Sequence, residues 1–251
     1  MKIQFVHKGI TYIADLSAPL DISIPIKDGD QNPNCYYSRD VRFEVIRSGD
    51  FLGDTRQGGA VNHKEVLITP HGNGTHTECF GHITSADNGT INHCLREFHF
   101  IAQLVTVEPQ KLENGDQVIT INDLKKMPDH GTEALIVRTL PNDTGKLIRN
   151  YSGTNPPYFD PEVTEFLRKK DVRHLLTDLP SVDREEDGGA VKAHHNFWGL
   201  PNQLSETSTI TELIYARDTI EDGLYLLNLQ IISLELDVSP SKPVLFKLIR
   251  V

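Results

Sequence analysis

The hydrophobic pattern of this chain reads as strands separated by long loops, with few helices. Ile3–Val6 and Thr11–Leu16 are expected as short strands of a hairpin around Lys8-Gly9. Val41–Ile46 alternates apolar and polar positions, as a half-buried strand does. Glu65–Thr69 is expected as a strand running straight into a histidine-rich segment. Phe100–Val107, Glu133–Thr139, Val172–Thr177, Thr209–Ile214, Leu224–Leu234 and Val244–Ile249 are the further expected strands, with a turn at Asp222-Gly223. Residues 27–38, 48–62 and 183–189 read as loops. A short helix is expected over Asn122–Met127, ended by Pro128. A second starts cleanly at Asp160-Pro161, where Asp caps free amides and Pro fits the first turn, and runs to about Lys170. His194–Gly199 is a third candidate. The strand–helix–strand order over Glu133–Thr177 predicts a parallel crossover. These elements predict one compact α/β domain over residues 1–251 with a mixed sheet.

Composition changes this picture little but excludes several functions. The 251 residues are 38% hydrophobic and 24% charged, enough to bury a sizeable core. A formal net charge of −10 without a Lys/Arg cluster argues against nucleic acid and against an anionic membrane surface. No apolar run approaches the ~20 residues that span a bilayer, and the first residues do not read as a signal peptide. A cytoplasmic location is the expectation. The three cysteines, Cys35, Cys79 and Cys94, form no CxxC pair, which argues against a disulfide framework or a zinc ribbon.

Histidine placement carries the chemistry. Of eleven histidines, five fall between His71 and His99, and the segment His71-Gly-Asn-Gly-Thr-His76-Thr-Glu78-Cys-Phe-Gly-His82 holds three with a carboxylate among them. Imidazole and carboxylate are the ligands that zinc or manganese takes in hydrolytic sites. His76, Glu78, Phe80 and His82 follow a period of two, which on an extended chain puts them on one face. The spacing of five between His71 and His76 is not a helical same-face spacing, so the expected site is a loop or strand site. Thr75 is placed to hold a neighbouring ligand by hydrogen bond. A second cluster comprises His194, His195 and Glu212, the last inside the apolar run Ile210–Tyr215. A carboxylate in a buried strand is costly unless paired or metal-bound; the alternative is an edge strand with Glu212 facing water.

These residues resemble the signature of the cyclase-family metal hydrolases, which include bacterial kynurenine formamidase and isatin hydrolase. That signature runs His, three residues, His within Gly-Thr-His, then x-Asp-x-Pro-x-His. Asp15-Leu16-Ser17, Gly58–Asn62, Asp178–Asp183 and the tail from Ile210 to Val251 fit the family too. The resemblance implies an α/β fold of the swivelling β/β/α type, a homodimer or homotetramer, a small-molecule substrate and two divalent ions, zinc first and manganese second. It implies that His71, His76 and Glu78 hold one ion. Glu78 bridges to the other, which His194 and Glu212 complete, and His82 acts as general acid/base. His194 keeps the family spacing better than His195. The reaction implied is hydrolysis of a formamide, amide or lactam, with N-formylkynurenine as lead substrate. The alternatives are another cyclic amide or ester as substrate and a non-catalytic metal-binding homologue.

The segment departs from the signature at three positions. Asn73 lengthens the first histidine gap, Glu78 replaces Asp, and Phe80 replaces Pro. The formamidases' early-loop tryptophan is also missing, since Trp198 is the sole tryptophan and Asn34–Tyr37 occupy that loop. A rival chemistry would use Cys79 as nucleophile. On an extended chain Cys79 points away from His76 and His82, and a neighbouring carboxylate raises its pKa. Asp178 and Asp183 are expected at turns, with a secondary role in orienting imidazoles.

Overall fold

The computed structural model describes residues 1–126 and 129–251. The N-terminal half contributes β1 (Lys2–His7), β2 (Ile10–Asp15), β3 (Leu20–Asp21), β4 (Arg42–Val45), β5 (Arg47–Ser48), β6 (Phe51–Leu52), β7 (Lys64–Leu67), α1 (Pro70–Asn73), β8 (His76–Glu78), α2 (Ile91–Cys94), β9 (His99–Val107), β10 (Gln110–Lys111), β11 (Gln117–Ile119) and α3 (Ile121–Lys125). The C-terminal half contributes β12 (Ala134–Thr139), β13 (Tyr158–Phe159), α4 (Pro161–Lys169), β14 (His174–Thr177), α5 (Lys192–Trp198), β15 (Thr209–Glu212), β16 (Gly223–Ile231) and β17 (Val238–Arg250).

The main sheet runs β1-β2-β17-β16-β9-β12-β14-β15-β8, and β8 pairs back onto β17. The strands from β17 round to β8 therefore close a mixed barrel. Within it β9, β12, β14 and β15 are parallel, while β8, β16 and β17 run antiparallel to their neighbours. Parallel strands covered by helices read as continuous apolar runs, and β12 (ALIVRT) and β14 (HLLT) are buried along their whole length.

Helix α4 is the crossover from β12 to β14, and the two strands pair in parallel as the strand–helix–strand order predicted. Asp160 accepts from the Glu162 amide, and Pro161 occupies the first helical turn. Val163 and Leu167, four residues apart on one face, enter the core. α5 packs beside α4, and its Trp198 is fully buried with the indole N–H donating to Ser208 O at 3.0 Å.

Several expectations shift. Helix α3 covers Ile121–Lys125; Met127 and Pro128, which were to end it, lie outside the described residues. The expected 48–62 loop holds a small hairpin, β5–β6, and a 3-10 turn at Thr55–Gln57. β17 begins at Val238, six residues ahead of the expected Val244. It runs through Pro240 and Pro243, whose lack of an N–H argues against a strand at the sequence level. The period-two reading across His76–His82 is corrected as well. The strand stops at Glu78, Phe80 is buried in the core, and a 3-10 turn over Phe80–Ile83 carries His82.

Candidate metal centre

The site forms where the barrel closes. In the β15–β8 ladder Glu212 lies directly opposite His76, and Ile210 opposite Glu78. Alternation along β8 puts His76 and Glu78 on one face, while Thr77 on the other meets Thr211, hydroxyl to hydroxyl, at 2.8 Å. β15 lies between β14 and β8, so Glu212 is not on an edge strand facing water; it is 3% exposed.

His71 arrives from α1. The additional residue Asn73 clips this single turn shut: its side-chain oxygen accepts from the Thr69 amide at 2.8 Å, and its amide donates to Arg39 O at 3.2 Å. Thr75, expected to hold a ligand, instead donates to Leu213 O and accepts from the Ile24 amide. His194 arrives from α5. Asp183 accepts from the amides of Ala193 and His194 and from the His194 ring at Nδ1, the last at 2.6 Å. The orienting role is therefore filled by Asp183. Asp178 is elsewhere, buried against Lys146 at 2.8 Å and Thr139.

These elements bring His71, His76, Glu78, His82, His194 and Glu212 together. Glu78, fully buried, has two faces. Its Oε2 lies 3.2 Å from His71 Nδ1 and 3.8 Å from His82 Nε2, and its Oε1 lies 3.0 Å from His194 Nε2. Glu212 Oε2 is 3.3 Å from His76 Nε2, and its Oε1 is 3.9 Å from His194 Nε2. His71, His76 and Glu78 offer donor atoms within 4.8 Å of one another, as do Glu78, His82 and His194. His194, not His195, is the α5 histidine that faces the carboxylates.

The donor set fits a divalent cation. Each prospective ligand imidazole has its outer nitrogen fixed by an acceptor: His76 Nδ1 by Gly74 O at 2.9 Å, His194 Nδ1 by Asp183, and His71 Nε2 by Asp237 at 2.9 Å. That arrangement leaves the inner nitrogens to face the carboxylates, as in metal sites whose ligands are held from behind. His76 Nε2 is buried without a hydrogen-bond partner, and Glu78 Oε2 has only His71 Nδ1, at 3.2 Å, within reach, a costly state that a cation beside them relieves. The proton chemistry agrees. Burial alone would lower the His71 and His194 pKa values. Hydrogen bonds donated to Asp237 and Glu78 by His71, and to Asp183 and Glu78 by His194, outweigh it and raise both to about 10. Burial likewise opposes the charge on Glu78, but His82, His194 and His71 hold its carboxyl well below the usual range. Each raised imidazole has both nitrogens facing carboxylates, so an inner proton stands where a cation's charge would serve.

Sequence reasoning missed Asp237 and Tyr36. Asp237 lies in the alternating run Leu234-Glu-Leu-Asp-Val238, where nothing local sets it apart from an ordinary solvated acid. Tyr36, from the early loop, lines the site cavity and donates to Pro180 O at 3.1 Å. Tyr36 and Val191, which line the site cavity, and Leu213, next to Glu212 in the chain, adopt positive φ, the strained backbone that gathers at functional positions. The site cavity is about 290 Å³, at the small end for a small-molecule pocket. A larger cavity of about 340 Å³ lies away from it among Leu124, Leu135, Phe166 and Val172, and none of the residues facing the carboxylate pair line it. Cys79 is fully buried, and hydrogen bonding with Cys94 together with burial pushes its thiol far up, which removes the nucleophile reading.

A closed mixed barrel with a buried His/Glu cluster at its seam defines the class. Residues 14–184 match the family model "Putative cyclase", and the chain belongs to the cyclase family. A kynurenine formamidase of Bacillus cytotoxicus is 25% identical over 190 residues, 75% of this chain and 82% of that protein. A kynurenine formamidase of Geobacillus thermodenitrificans is 27% identical over 183 residues, 73% of this chain and 75% of that protein. Among solved structures, isatin hydrolase A of Labrenzia aggregata superposes with a TM-score of 0.65 at 16% identity, covering 91% of this chain and 93% of that one. A potential metal-dependent hydrolase with cyclase activity superposes at 0.64 and 17% identity, covering 92% and 98%. Among the described residues no helix is long and apolar enough to cross a membrane.

Proposed function

We propose that this protein is a metal-dependent hydrolase that opens a formamide, amide or lactam bond, with N-formylkynurenine as lead substrate. The carrying observation is the buried Glu78 carboxylate facing His71 on one oxygen and His194 on the other, with Glu212 closing the far side. His71, His76 and Glu78 would hold one divalent ion; Glu78, His194 and Glu212 would hold a second. Zinc is the first candidate and manganese the second. Such ions supply acidified water and a polarised carbonyl when bound.

The chain's own residues do the rest. His82 is exposed at the edge of the cluster, its ring centre 4.3 Å from that of His71, with Nε2 turned toward Glu78. It is the group placed to take a proton from the attacking water and return it to the leaving nitrogen. Tyr36 and Val191 line the site cavity and would flank a bound substrate. The swivelling β/β/α type, and assembly as a homodimer or homotetramer, belong to the same proposal.

The test is metal content of untagged protein by elemental analysis, paired with hydrolysis of N-formylkynurenine and of isatin. One or two equivalents of zinc or manganese with formamide cleavage is the expected result. Protein without a divalent metal would sink the reading. Metal without cleavage of either substrate keeps the site and rejects the lead substrate.

A further inference from the structure

Asp237 sits in the bend before β17, and the barrel seam fixes its place. The Cys79 amide donates to Asp237 O at 3.0 Å, and the next residue, Val238, lies opposite Glu78 in the β8–β17 ladder. Barrel closure thus delivers a carboxylate to the start of the 3-10 turn that carries His82. One oxygen, Oδ2, takes two imidazole protons, from His71 Nε2 at 2.9 Å and from His82 Nδ1 at 3.3 Å. An ionised carboxylate only accepts, so both nitrogens carry hydrogen. A neutral imidazole with one nitrogen protonated leaves the other bare. The second nitrogens are then His82 Nε2 and, once a cation replaces its inner proton, His71 Nδ1, which lie 3.8 Å and 3.2 Å from Glu78 Oε2.

We propose that Asp237 is a positioning residue that sets two tautomers with one oxygen: it makes Nδ1 the metal-binding nitrogen of His71 and Nε2 the proton-accepting nitrogen of His82. His76 and His194 are pinned at Nδ1 and present Nε2, so His71 is the odd ligand of the set. The opposite tautomers would point N–H groups into the site, facing a cation on one side and an attacking water on the other. The His71 half rests on the metal-dependent reading above; the His82 half stands on the hydrogen bond alone.

The experiment is 15N spectroscopy of histidine-labelled full-length protein, free of substrate, with and without added zinc, joined to kinetics on the best substrate found. In the wild type His82 carries its proton on Nδ1, and with zinc His71 carries its proton on Nε2 and binds through Nδ1. In Asp237→Asn the side-chain amide can donate to Nδ1, so the His82 proton moves to Nε2. There kcat at saturating zinc falls on the order of 10- to 100-fold with KM within about 2-fold, and zinc affinity falls because His71 loses the acceptor behind its metal-facing nitrogen. Asp237→Glu restores the Nδ1 proton and part of kcat. A wild-type His82 protonated on Nε2, or tautomers and kcat unmoved in Asp237→Asn, overturns the proposal. If the wild type takes up no zinc, the metal-dependent reading fails, and the zinc-free spectrum still decides the His82 half. If Asp237→Asn does not fold, the wild-type spectra decide alone.

Discussion

Glu78 carries a carboxylate one methylene longer than the signature Asp, and Asn73 makes the preceding segment one residue longer. The two departures act together. Asn73 is consumed in closing the α1 turn, which sets where His71 starts, and the longer Glu78 arm spans from β8 to both His71 and His194. Glu78→Asp in the present loop therefore retracts the carboxylate from two histidines. Metal affinity is expected to fall on the order of 10- to 100-fold, read by competition with a chelator. His82 gives the complementary case. Its ring is a third exposed and meets Glu78 only at 3.8 Å, so His82→Ala should keep the metal and lose turnover by roughly 10²- to 10⁴-fold. Metal lost together with turnover would make His82 a ligand. At this scale the sequence foretold which side chains come together, because imidazoles and a carboxylate, the donors a metal takes, crowd one short segment. Asp237 escaped because its partners lie 155 and 166 residues away in the chain.

The 3-10 turn over Phe80–Ile83 is the element that converts a strand motif into a site. A continued strand would have kept Phe80 on the face of His76 and Glu78; the turn instead buries Phe80 and swings His82 back over Glu78. Gly81 makes the turn possible by close approach: a Cβ there would sit 1.8 Å from the Gly89 carbonyl oxygen. Backbone cannot yield as a flexible side chain can, so Gly81→Ala should cost about 1–3 kcal/mol and shift His82, read as a lower Tm with weakened turnover. A Gly81→Ala protein as stable as the wild type would remove this account. Elements with a strong local signal were legible: α4 through its Asp-Pro cap, and β9, β12 and β14 through apolar runs. β8 was legible only in part: the period of two caught His76 and Glu78 on one strand face but ran on to His82, where the 3-10 turn takes over. The start of β17 was not legible, since prolines there argue locally against a strand that the β8 partner nevertheless recruits.

At the scale of the whole molecule, one region stands off the core. β4 and β7 pair only with each other, and all four residues of β7 are exposed. A two-stranded ribbon is marginal in water by itself, and this one presents Val66 and Leu67, with Phe51 and Val61 nearby in sequence, at 41–55% exposure. The proposed homodimer or homotetramer gives that apolar surface a partner. Val66→Glu should then shift the protein toward monomer in light scattering, leaving the metal content of the remaining folded protein unchanged. A wild type already monomeric at micromolar concentration would refute the arrangement. β7 leads directly into α1 and His71, so assembly would also steady the first ligand.

The histidine pair predicts a pH signature for the whole fold. In the metal-free protein His71 and His194 titrate near 10, against about 6.5 in the unfolded chain. Below 6.5 both states hold these protons and the stabilisation is complete. Between 6.5 and 10 the unfolded chain releases protons that the folded one retains, so stability falls as pH rises. Both groups share Glu78, so their effects are not additive. A bound cation reverses the trend, because it needs the inner nitrogens bare and its affinity grows as protons leave. The gap in Tm between zinc-loaded and metal-free protein should therefore widen from pH 6.5 to 9. Calorimetry in buffers of different ionisation heat should show protons released on zinc binding near pH 7.5. A metal-free Tm independent of pH across that window, with no proton release, would mean that the inner protons are not where the geometry puts them. The cluster would then lack the charge balance that makes it a metal centre.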